Sequence, residues 1–450
     1  MAETNKRDMT SGGIIRALLS LALPIMGTQF LQMCYNLTDM FWLGRIGSDA
    51  VAASGTAGLF MWLSVGFMLI GRVGAEIGVS QSRGRGETDG AFRYSRTALY
   101  IAAALGLLYG AFLIFLREPL VGFFNFQENS VADDAKRYLS IIGLGIPFSF
   151  VSASVSGTFN ASGNARTPFM INAVGLALNM VLDPVLIFPM GMGVGGAAAA
   201  SVFAQAVVAA LMLAALKISK HRPFEKYPFL HRENAAKTVS GECARNIFKW
   251  TLPICLESTL FCSLTMITSR FEVSFGAQGL AISRVGSQVE SLTWLIGGGF
   301  GSALTSYVGQ NFGAGREDRI AQGVKFSSVF MTVWGLFVTA VLFFGGGAAF
   351  AVFLPAQPEL WDLGVTYMRI LSVCQLPMCI EAVFASAFKG TGRTIPPSVS
   401  GITSNIIRVP LAYALSQTPL GLLGIWAAIS FTGCLRGIWI WLWYVTGKGK

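Results

Sequence analysis

Acidic and amide side chains stand at helical spacing inside two apolar segments of this 450-residue chain. Gln32, Tyr35 and Asp39 are three and four residues apart, so a helix would place them on one polar stripe. Asn179 and Asp183 are four residues apart and would share a helix face in the same way. An aspartate near the centre of a membrane helix costs on the order of 3 kcal/mol, so these residues need polar surroundings. The pattern predicts a wet cavity or an ion site within a membrane.

The two aspartates could bind a cation or carry a proton. Pro184 cannot donate a hydrogen bond to the carbonyl of Met180, which leaves that oxygen free beside Asp183. Clustered oxygens bind hard cations, and kinked helices commonly supply them in transporters, so Asp39, Asn179 and Asp183 are candidate ligands of Na⁺. Two carboxyl groups in contact could instead hold a proton. Two structural roles stay open: Asp39 as the cap of its helix, and Asn179 with Asp183 as a packing bridge.

The composition is that of an integral membrane protein. Hydrophobic residues make up 53% of the chain and charged residues only 12%, whereas a soluble domain has about 25% charged residues. A membrane span needs about 20 mostly apolar residues, and twelve segments meet this requirement. Their approximate limits are 14–40, 50–79, 96–116, 137–160, 167–190, 195–217, 246–270, 278–308, 322–346, 364–388, 396–416 and 421–446.

The chain repeats itself at a constant offset of 229 residues, since Pro253 falls on Pro24, Gln310 on Gln81 and Tyr367 on Tyr138. Each copy has six spans, so both copies have the same orientation, and their pseudo-two-fold axis runs along the membrane normal. We therefore expect an all-α protein with an N-terminal six-helix lobe over 1–217 and a C-terminal six-helix lobe over 246–450. A cytoplasmic linker over 218–245 would join the two lobes.

The acidic candidates differ between the two copies. The repeat partners of Asp39 and Asp183 are Thr268 and Ala412, so these carboxyl groups belong to the N-terminal lobe alone. Arg408, in the second copy, is expected to extend to the membrane surface. The second copy has acidic residues of its own in apolar segments, and they are candidates for a cavity in that lobe: Glu257, Glu290 and Glu381.

Basic residues concentrate in alternate loops, which indicates the orientation in the membrane. Those of the central loop are Lys217, Lys220, Arg222, Lys226, Arg232 and Lys237. The formal net charge of +10 therefore reflects topology and does not indicate nucleic-acid binding. The positive-inside rule places both termini in the cytoplasm of a multi-pass protein in the plasma or inner membrane. The seven cysteines lack metal-ligand spacing and are expected to be free thiols.

Several segments, spread over both halves, carry a resemblance to a known family. They are LALPIMGTQFLQMCYNLTDMFWLG, the pair VSQSRGRG and VGQNFGAG, the pair NASGNARTPF and KGTGRTIPP, and LNMVLDP. With them the chain resembles the multidrug and toxic compound extrusion (MATE) family, in its DinF-like branch. The resemblance implies a V of six plus six helices that alternates between inward- and outward-open states. It also implies export of cationic or amphipathic compounds in exchange for Na⁺ or H⁺.

The resemblance also implies which residues perform the coupling. In DinF-like members the ion and proton chemistry belongs to the N-terminal lobe, and the pattern falls on Gln32, Tyr35, Asp39, Asn179 and Asp183. Two further family positions fall on Ser156 and Ser201, and Asn160 is the candidate replacement for the Asn that the family often has at the first of them. The NorM-like branch uses carboxylates of the C-terminal lobe instead, and Glu381 lies about one turn from the Asp of that branch.

Motifs of an enzyme or of an ATP-driven pump are missing from the sequence. GxxxxGK[ST] does not occur, both histidines lie in the linker, and neither HExxH nor a nucleophile elbow is found. We therefore expect a transporter, a secondary active efflux antiporter with no cofactor other than the coupling ion. It would act as a monomer among membrane lipids, with a cavity that aromatic side chains line.

Two other classes of transporter fit the sequence less well. A lipid-linked oligosaccharide or lipid flippase of the same superfamily is the alternative, but its cavity should carry persistent positive charge. The segment GREDR at 315–319 resembles a loop motif of major-facilitator carriers. It is a single short match, and the MATE segments outnumber it.

Overall fold

All regular secondary structure is helical in the computed structural model, which describes residues 9–124, 129–218, 240–353 and 360–447. The helices of the N-terminal half are α1 (Ile14–Ile46), α2 (Ser48–Gly84), α3 (Thr88–Phe115), α4 (Arg117–Gly122), α5 (Asn129–Ala161), α6 (Arg166–Ile187) and α7 (Val194–Ile218). Those of the C-terminal half are α8 (Gly241–Val273), α9 (Ala277–Gly313), α10 (Glu317–Phe353), α11 (Trp361–Gly390), α12 (Ile395–Ser416) and α13 (Leu422–Val445).

The helix bounds reproduce the sequence repeat. Adding 229 to the bounds of α2 gives 277–313, which are the bounds of α9, and the same operation converts α6 into α12. Apart from the six-residue α4, each half contributes six long helices within the described residues. The predicted fold of two six-helix lobes is therefore confirmed. The residues between α7 and α8, where the linker is predicted, lie largely outside the described residues.

Ten of the long helices are long and apolar enough to cross a membrane. The other two, α9 and α12, are the repeat partners of α2 and α6, which belong to the ten. Polar residues such as Arg284 and Arg408 interrupt their apolar pattern, so composition alone does not identify them as spans. Many helices extend past the predicted limits, and α1 continues to Ile46 where we expected an end near residue 40.

Each lobe has its own core, built around a tyrosine that the repeat conserves between the two copies. In the N-terminal lobe Tyr138, Phe150 and Leu113 belong to one buried cluster. In the C-terminal lobe Tyr367 meets the edge of Trp426, with ring centroids 4.9 Å apart. The chain begins α1 and ends α13 on the same side of this bundle, which we call the terminal side, and the other end is the opposite side.

The lobes meet most closely on the terminal side, where two glycines let backbones touch. A Cβ at Gly84 would overlap the backbone oxygen of Gln310, and a Cβ at Gly313 would overlap that of Gln81. Contacts between α2 and α8 then continue to the middle of the bundle, as far as the edge contact of Trp62 with Phe261. Small residues of this kind are how membrane helices approach closely without an aqueous hydrophobic drive.

Replacing Gly84 with alanine should push α2 and α9 apart, because the new methyl group meets a rigid backbone oxygen. Overpacking of this kind costs about 1–3 kcal/mol, so we expect a clearly lower melting temperature for the purified protein. Gly55→Ala is the matched control, since nothing lies within 4 Å of the added Cβ on the same helix. Equal melting temperatures for the two variants would contradict the close crossing.

Candidate functional site

Four polar side chains from three helices converge in the N-terminal lobe. Ser201 on α7 donates its hydroxyl to Asp39 Oδ2 on α1, at 3.2 Å. On α6, Asn179 Nδ2 donates to Asp183 Oδ1 at 3.0 Å. The Asp39 carboxyl group also lies close to Asp183 and Asn179, which joins the two halves into one cluster. We call these four residues the carboxyl cluster.

The helices place this cluster in the half of the lobe that is farther from the terminal side. Asp39 comes seven residues before the end of α1 at Ile46, and Asp183 four residues before the end of α6 at Ile187. At 1.5 Å per residue these positions are about 10 Å and about 6 Å from the helix ends. Asn179 and Asp183 are fully buried, so they face protein and not lipid. The alternative that Asp39 merely caps its helix is wrong, because α1 continues past it.

The carboxyl cluster contains oxygens that the protein leaves without a partner. Asp39 Oδ1, Asp183 Oδ2, Asn179 Oδ1 and the hydroxyl of Tyr35 are all buried and accept or donate no hydrogen bond. An unmet buried polar atom costs about 1–3 kcal/mol, so four in one place need an explanation. A proton held between the carboxyl groups, or a small hard cation bound by the free oxygens, would satisfy them. The residues therefore fit both H⁺ and Na⁺.

Tyr138 also borders the carboxyl cluster, and it was not among the predicted site residues. It is buried on α5 beside both Asp39 and Asp183. One signal in the sequence could have indicated it, because the repeat places a tyrosine, Tyr367, at the matching position. Tyr367 in turn lies beside Glu290 and Glu272 in the C-terminal lobe, so the repeat places a tyrosine next to acids in both lobes.

Two predicted ligands lie far from the carboxyl cluster. Ser156 and Asn160 follow Tyr138 on α5 by 18 and 22 residues, or roughly 27 Å and 33 Å along the helix. Asn160 instead donates to Glu76 Oε1 at 3.4 Å near the terminal side. Gln32 is exposed, two turns inward of Asp39, and does not join the cluster. Asn160 therefore does not complete the ligand set that we expected.

The acidic residues of the C-terminal lobe are largely compensated by arginine. Arg436 Nη2 lies 2.6 Å from Glu257 Oε1 and 2.6 Å from Glu381 Oε1. Glu290 stands apart, accepts from Gln375 Nε2 at 3.4 Å and faces Arg408. The three candidate glutamates therefore have basic neighbours, since Arg436 pairs with two of them and Arg408 faces the third.

Both arginines occupy the interior of the C-terminal lobe. Arg408 does not extend to the membrane surface as expected, because its Nε donates to Thr432 Oγ1 at 3.1 Å and its guanidinium lies 5.7 Å from the ring centre of Phe261. Arg436 was missed by the sequence reasoning. An arginine within the apolar α13 was the available signal, since ionisable groups in membrane helices are rare and face other polar groups.

The repeated helical lobes and the buried carboxyl cluster together define a membrane transporter. The MatE family model matches residues 24–185 and 253–414, two segments that are themselves offset by 229 residues. This chain belongs to the MatE family. The family that the sequence motifs resemble is thereby confirmed.

Relatives of known name match nearly the whole chain. One is 24% identical over 97% of this chain and 93% of its own, a "Probable multidrug resistance protein NorM" of Thermotoga maritima. Another, a "FAD transporter" of Shewanella oneidensis, is 26% identical over 96% of this chain and 95% of its own.

Solved transporter structures share the fold at low sequence identity. A transporter of the MOP superfamily from Pyrococcus furiosus superposes with a TM-score of 0.91 at 20% identity, covering 99% of this chain and 98% of that one. An outward-facing MATE family transporter superposes with a TM-score of 0.87 at 20% identity, covering 99% of each chain.

Removing Arg436 should strongly destabilise the C-terminal lobe, because it leaves Glu257 and Glu381 buried without their partner. Breaking a buried ion pair in this way costs about 3–5 kcal/mol. We expect Arg436→Met to lower the melting temperature and the monodisperse yield, and Glu257→Gln with Glu381→Gln to recover part of the loss. Arg93→Met, at an exposed position, is the control. A melting temperature like that of the control would contradict the structural role of this ion triad.

Proposed function

We propose that the protein is a secondary active efflux antiporter that exports cationic or amphipathic small molecules in exchange for H⁺ or Na⁺. The observation that carries the proposal is the carboxyl cluster. Asp39 and Asp183 are in contact, and each keeps an unpartnered buried oxygen. Two carboxyl groups so placed need one positive charge between or beside them, and a proton, a sodium ion or a cationic substrate each supplies it.

Exchange follows from competition for this charge. With the coupling ion absent, Asp39 and Asp183 leave negative charge in the N-terminal lobe, which favours binding of a cationic substrate. When H⁺ or Na⁺ enters the carboxyl cluster from outside, it neutralises the lobe and the substrate loses that attraction. Binding shifts a two-state protein only through different affinities for the two states, and the change of charge supplies that difference.

The position of the cluster supports entry of the ion from outside. We take the terminal side to be cytoplasmic, as the positive-inside pattern predicts. Asp39 and Asp183 then lie in the outer half of the membrane, while the close lobe contacts at Gly84 and Gly313 lie in the cytoplasmic half. Lobes that meet in the cytoplasmic half, with an ion site in the outer half, are the arrangement expected of an outward-facing state in alternating access.

The charges of the two clusters favour a cationic cargo over the pyrophosphate of a flippase substrate. The side chains that donate hydrogen bonds to Asp39 and Asp183 are Ser201 and Asn179, and both are uncharged. In the C-terminal lobe Arg436 faces two glutamates. A lipid-linked oligosaccharide or lipid flippase, which needs persistent positive charge, therefore stays the less supported alternative. We place the transporter, as a monomer, in the plasma or inner membrane.

Asp39→Asn and Asp183→Asn should each reduce gradient-driven efflux by roughly 10- to 100-fold, because each removes a charge-assisted partner of about 1.5–3 kcal/mol from the exchange. Efflux of a fluorescent organic cation would be measured in proteoliposomes with pH and Na⁺ gradients imposed separately. The gradient that drives the wild type identifies the coupling ion.

Asp89→Asn is the matched control for this experiment, since Asp89 is exposed at the start of α3. It should transport like the wild type, and all proteins should reconstitute to equal density. Wild-type efflux by both cluster variants would remove the carboxyl cluster from the mechanism. Efflux by the wild type that neither gradient alters would remove the antiport.

A further inference from the structure

Two glutamines form crossed hydrogen bonds between the lobes on the terminal side. Gln81 Nε2, in the N-terminal lobe, donates to the carbonyl of Gly390 at 2.9 Å. Gln310 Nε2, in the C-terminal lobe, donates to the carbonyl of Ala161 at 2.7 Å. Both donors and both acceptors are repeat partners at the offset of 229, so the second bond is the image of the first about the two-fold axis. Each bond joins one lobe to the other.

The accepting carbonyls would otherwise have no partner. Ala161 and Gly390 are the last residues of α5 and α11, where helix carbonyls lose their intrahelical donors. The turns that follow are built alike, with Gly163 at φ 80° and Gly392 at φ 79°. Their N–H groups bond the carbonyls one to three residues before the last one, which leaves the last carbonyl to the glutamine. Each glutamine thus caps a helix of the opposite lobe.

Both bonds lie in the protein interior, because both glutamine amides are buried. Gln81 is 7% exposed and Gln310 3% exposed, at the crossing where Gly84 and Gly313 bring backbone against backbone. Buried amide groups need partners, so closing the lobes at this point requires these bonds. When the lobes separate here, water reaches donor and acceptor alike. The bonds can therefore break and reform without a large penalty.

We propose that Gln81 and Gln310 form a two-fold lock that holds the terminal side closed and must open once in every transport cycle. We call this pair the glutamine lock. The inference rests on the proposed alternating access, and it assigns a role to the paired motifs VSQSRGRG with VGQNFGAG and NASGNARTPF with KGTGRTIPP. In each lobe the glutamine of the first motif supplies the donor, and the last residue of α5 or α11, within the second motif, supplies the acceptor.

Gln310 also binds the segment that precedes α1. The backbone N–H of Met9 donates to Gln310 Oε1 at 3.2 Å, so this side chain is held at both of its polar atoms. The carbonyl of Met9 accepts in turn from Asn311 Nδ2 at 3.1 Å and from Arg319 Nη2 at 3.1 Å. The repeat partner of Met9 lies outside the described residues. Loss of Gln310 should therefore also release Met9, ahead of α1.

Native cysteines provide reporters for opening. Cys255 is 4% exposed and packs across the lobe interface with Ile70 and Ala98 of the N-terminal lobe. Cys374 is 3% exposed and packs against Gly433 inside the C-terminal lobe. Separation of the lobes exposes Cys255 but leaves Cys374 covered, whereas unfolding exposes both. The ratio of their labelling rates therefore measures opening alone.

The test is the rate at which N-ethylmaleimide labels Cys255 and Cys374 in the purified protein, followed by peptide-resolved mass spectrometry. Gln81→Met keeps the side-chain volume and removes the donor. It should raise the Cys255 to Cys374 rate ratio roughly five-fold, the factor for a lost hydrogen bond of about 1 kcal/mol. Gln310→Met should raise it at least as much, and the double variant by at least roughly 25-fold if the bonds act independently. Gln205→Met, which loses a bond within the N-terminal lobe, should leave it unchanged.

An unchanged ratio in the double variant, or an equal rise at both thiols, would overturn the glutamine lock. So would a rise in the Gln205→Met control as large as in Gln81→Met. Efflux by the wild type is measured in parallel and separates this inference from the proposed function. Labelling that changes as expected while the wild type shows no coupled efflux keeps the lock and removes the antiport. Coupled efflux with unchanged labelling does the reverse.

Discussion

Two carboxyl groups cannot share a buried site unless a positive charge comes with them, and this constraint governs the N-terminal lobe. Asp39 and Asp183 are brought into contact by α1 and α6, and their remaining oxygens have no donor. The free energy lost by leaving these oxygens unpaired inside a membrane exceeds the stabilisation that most single contacts contribute. We therefore propose that the cluster holds a cation or a proton, and that the identity of that charge changes with the conformation of the lobes.

The repeat conserves the backbone of the two lobes but not their chemistry. α9 and α12 copy the bounds of α2 and α6, and the glutamine lock uses both copies symmetrically. In contrast, Asp39 is matched by Thr268, and Arg436 of the C-terminal lobe is matched by Val207. One lobe keeps acids that need an outside charge, while the other neutralises its acids internally. In the proposed mechanism, symmetry serves the movement of the lobes, and asymmetry supplies the ion chemistry.

The sequence predicted the fold well, because apolar length and a constant repeat offset are properties of whole segments. It predicted the carboxyl cluster for a similar reason, since helical spacing fixes which side chains share a face. It could not predict depth or neighbours. Asn160 shares a helix with Tyr138 but lies at the other end of it, and Arg436 was passed over although it binds two predicted acids. Such pairings depend on which helices pack together, and a single sequence does not show this.

Competition at the carboxyl cluster is the central claim, and binding of an organic cation to the purified protein tests it most directly. Its affinity would be measured by isothermal titration calorimetry over a series of pH values and of Na⁺ concentrations. The account predicts that affinity falls as protons or Na⁺ compete, and that the Asp39→Asn, Asp183→Asn double variant loses this dependence. Affinity that is independent of both ions in the wild type, or equally dependent in the double variant, would contradict it.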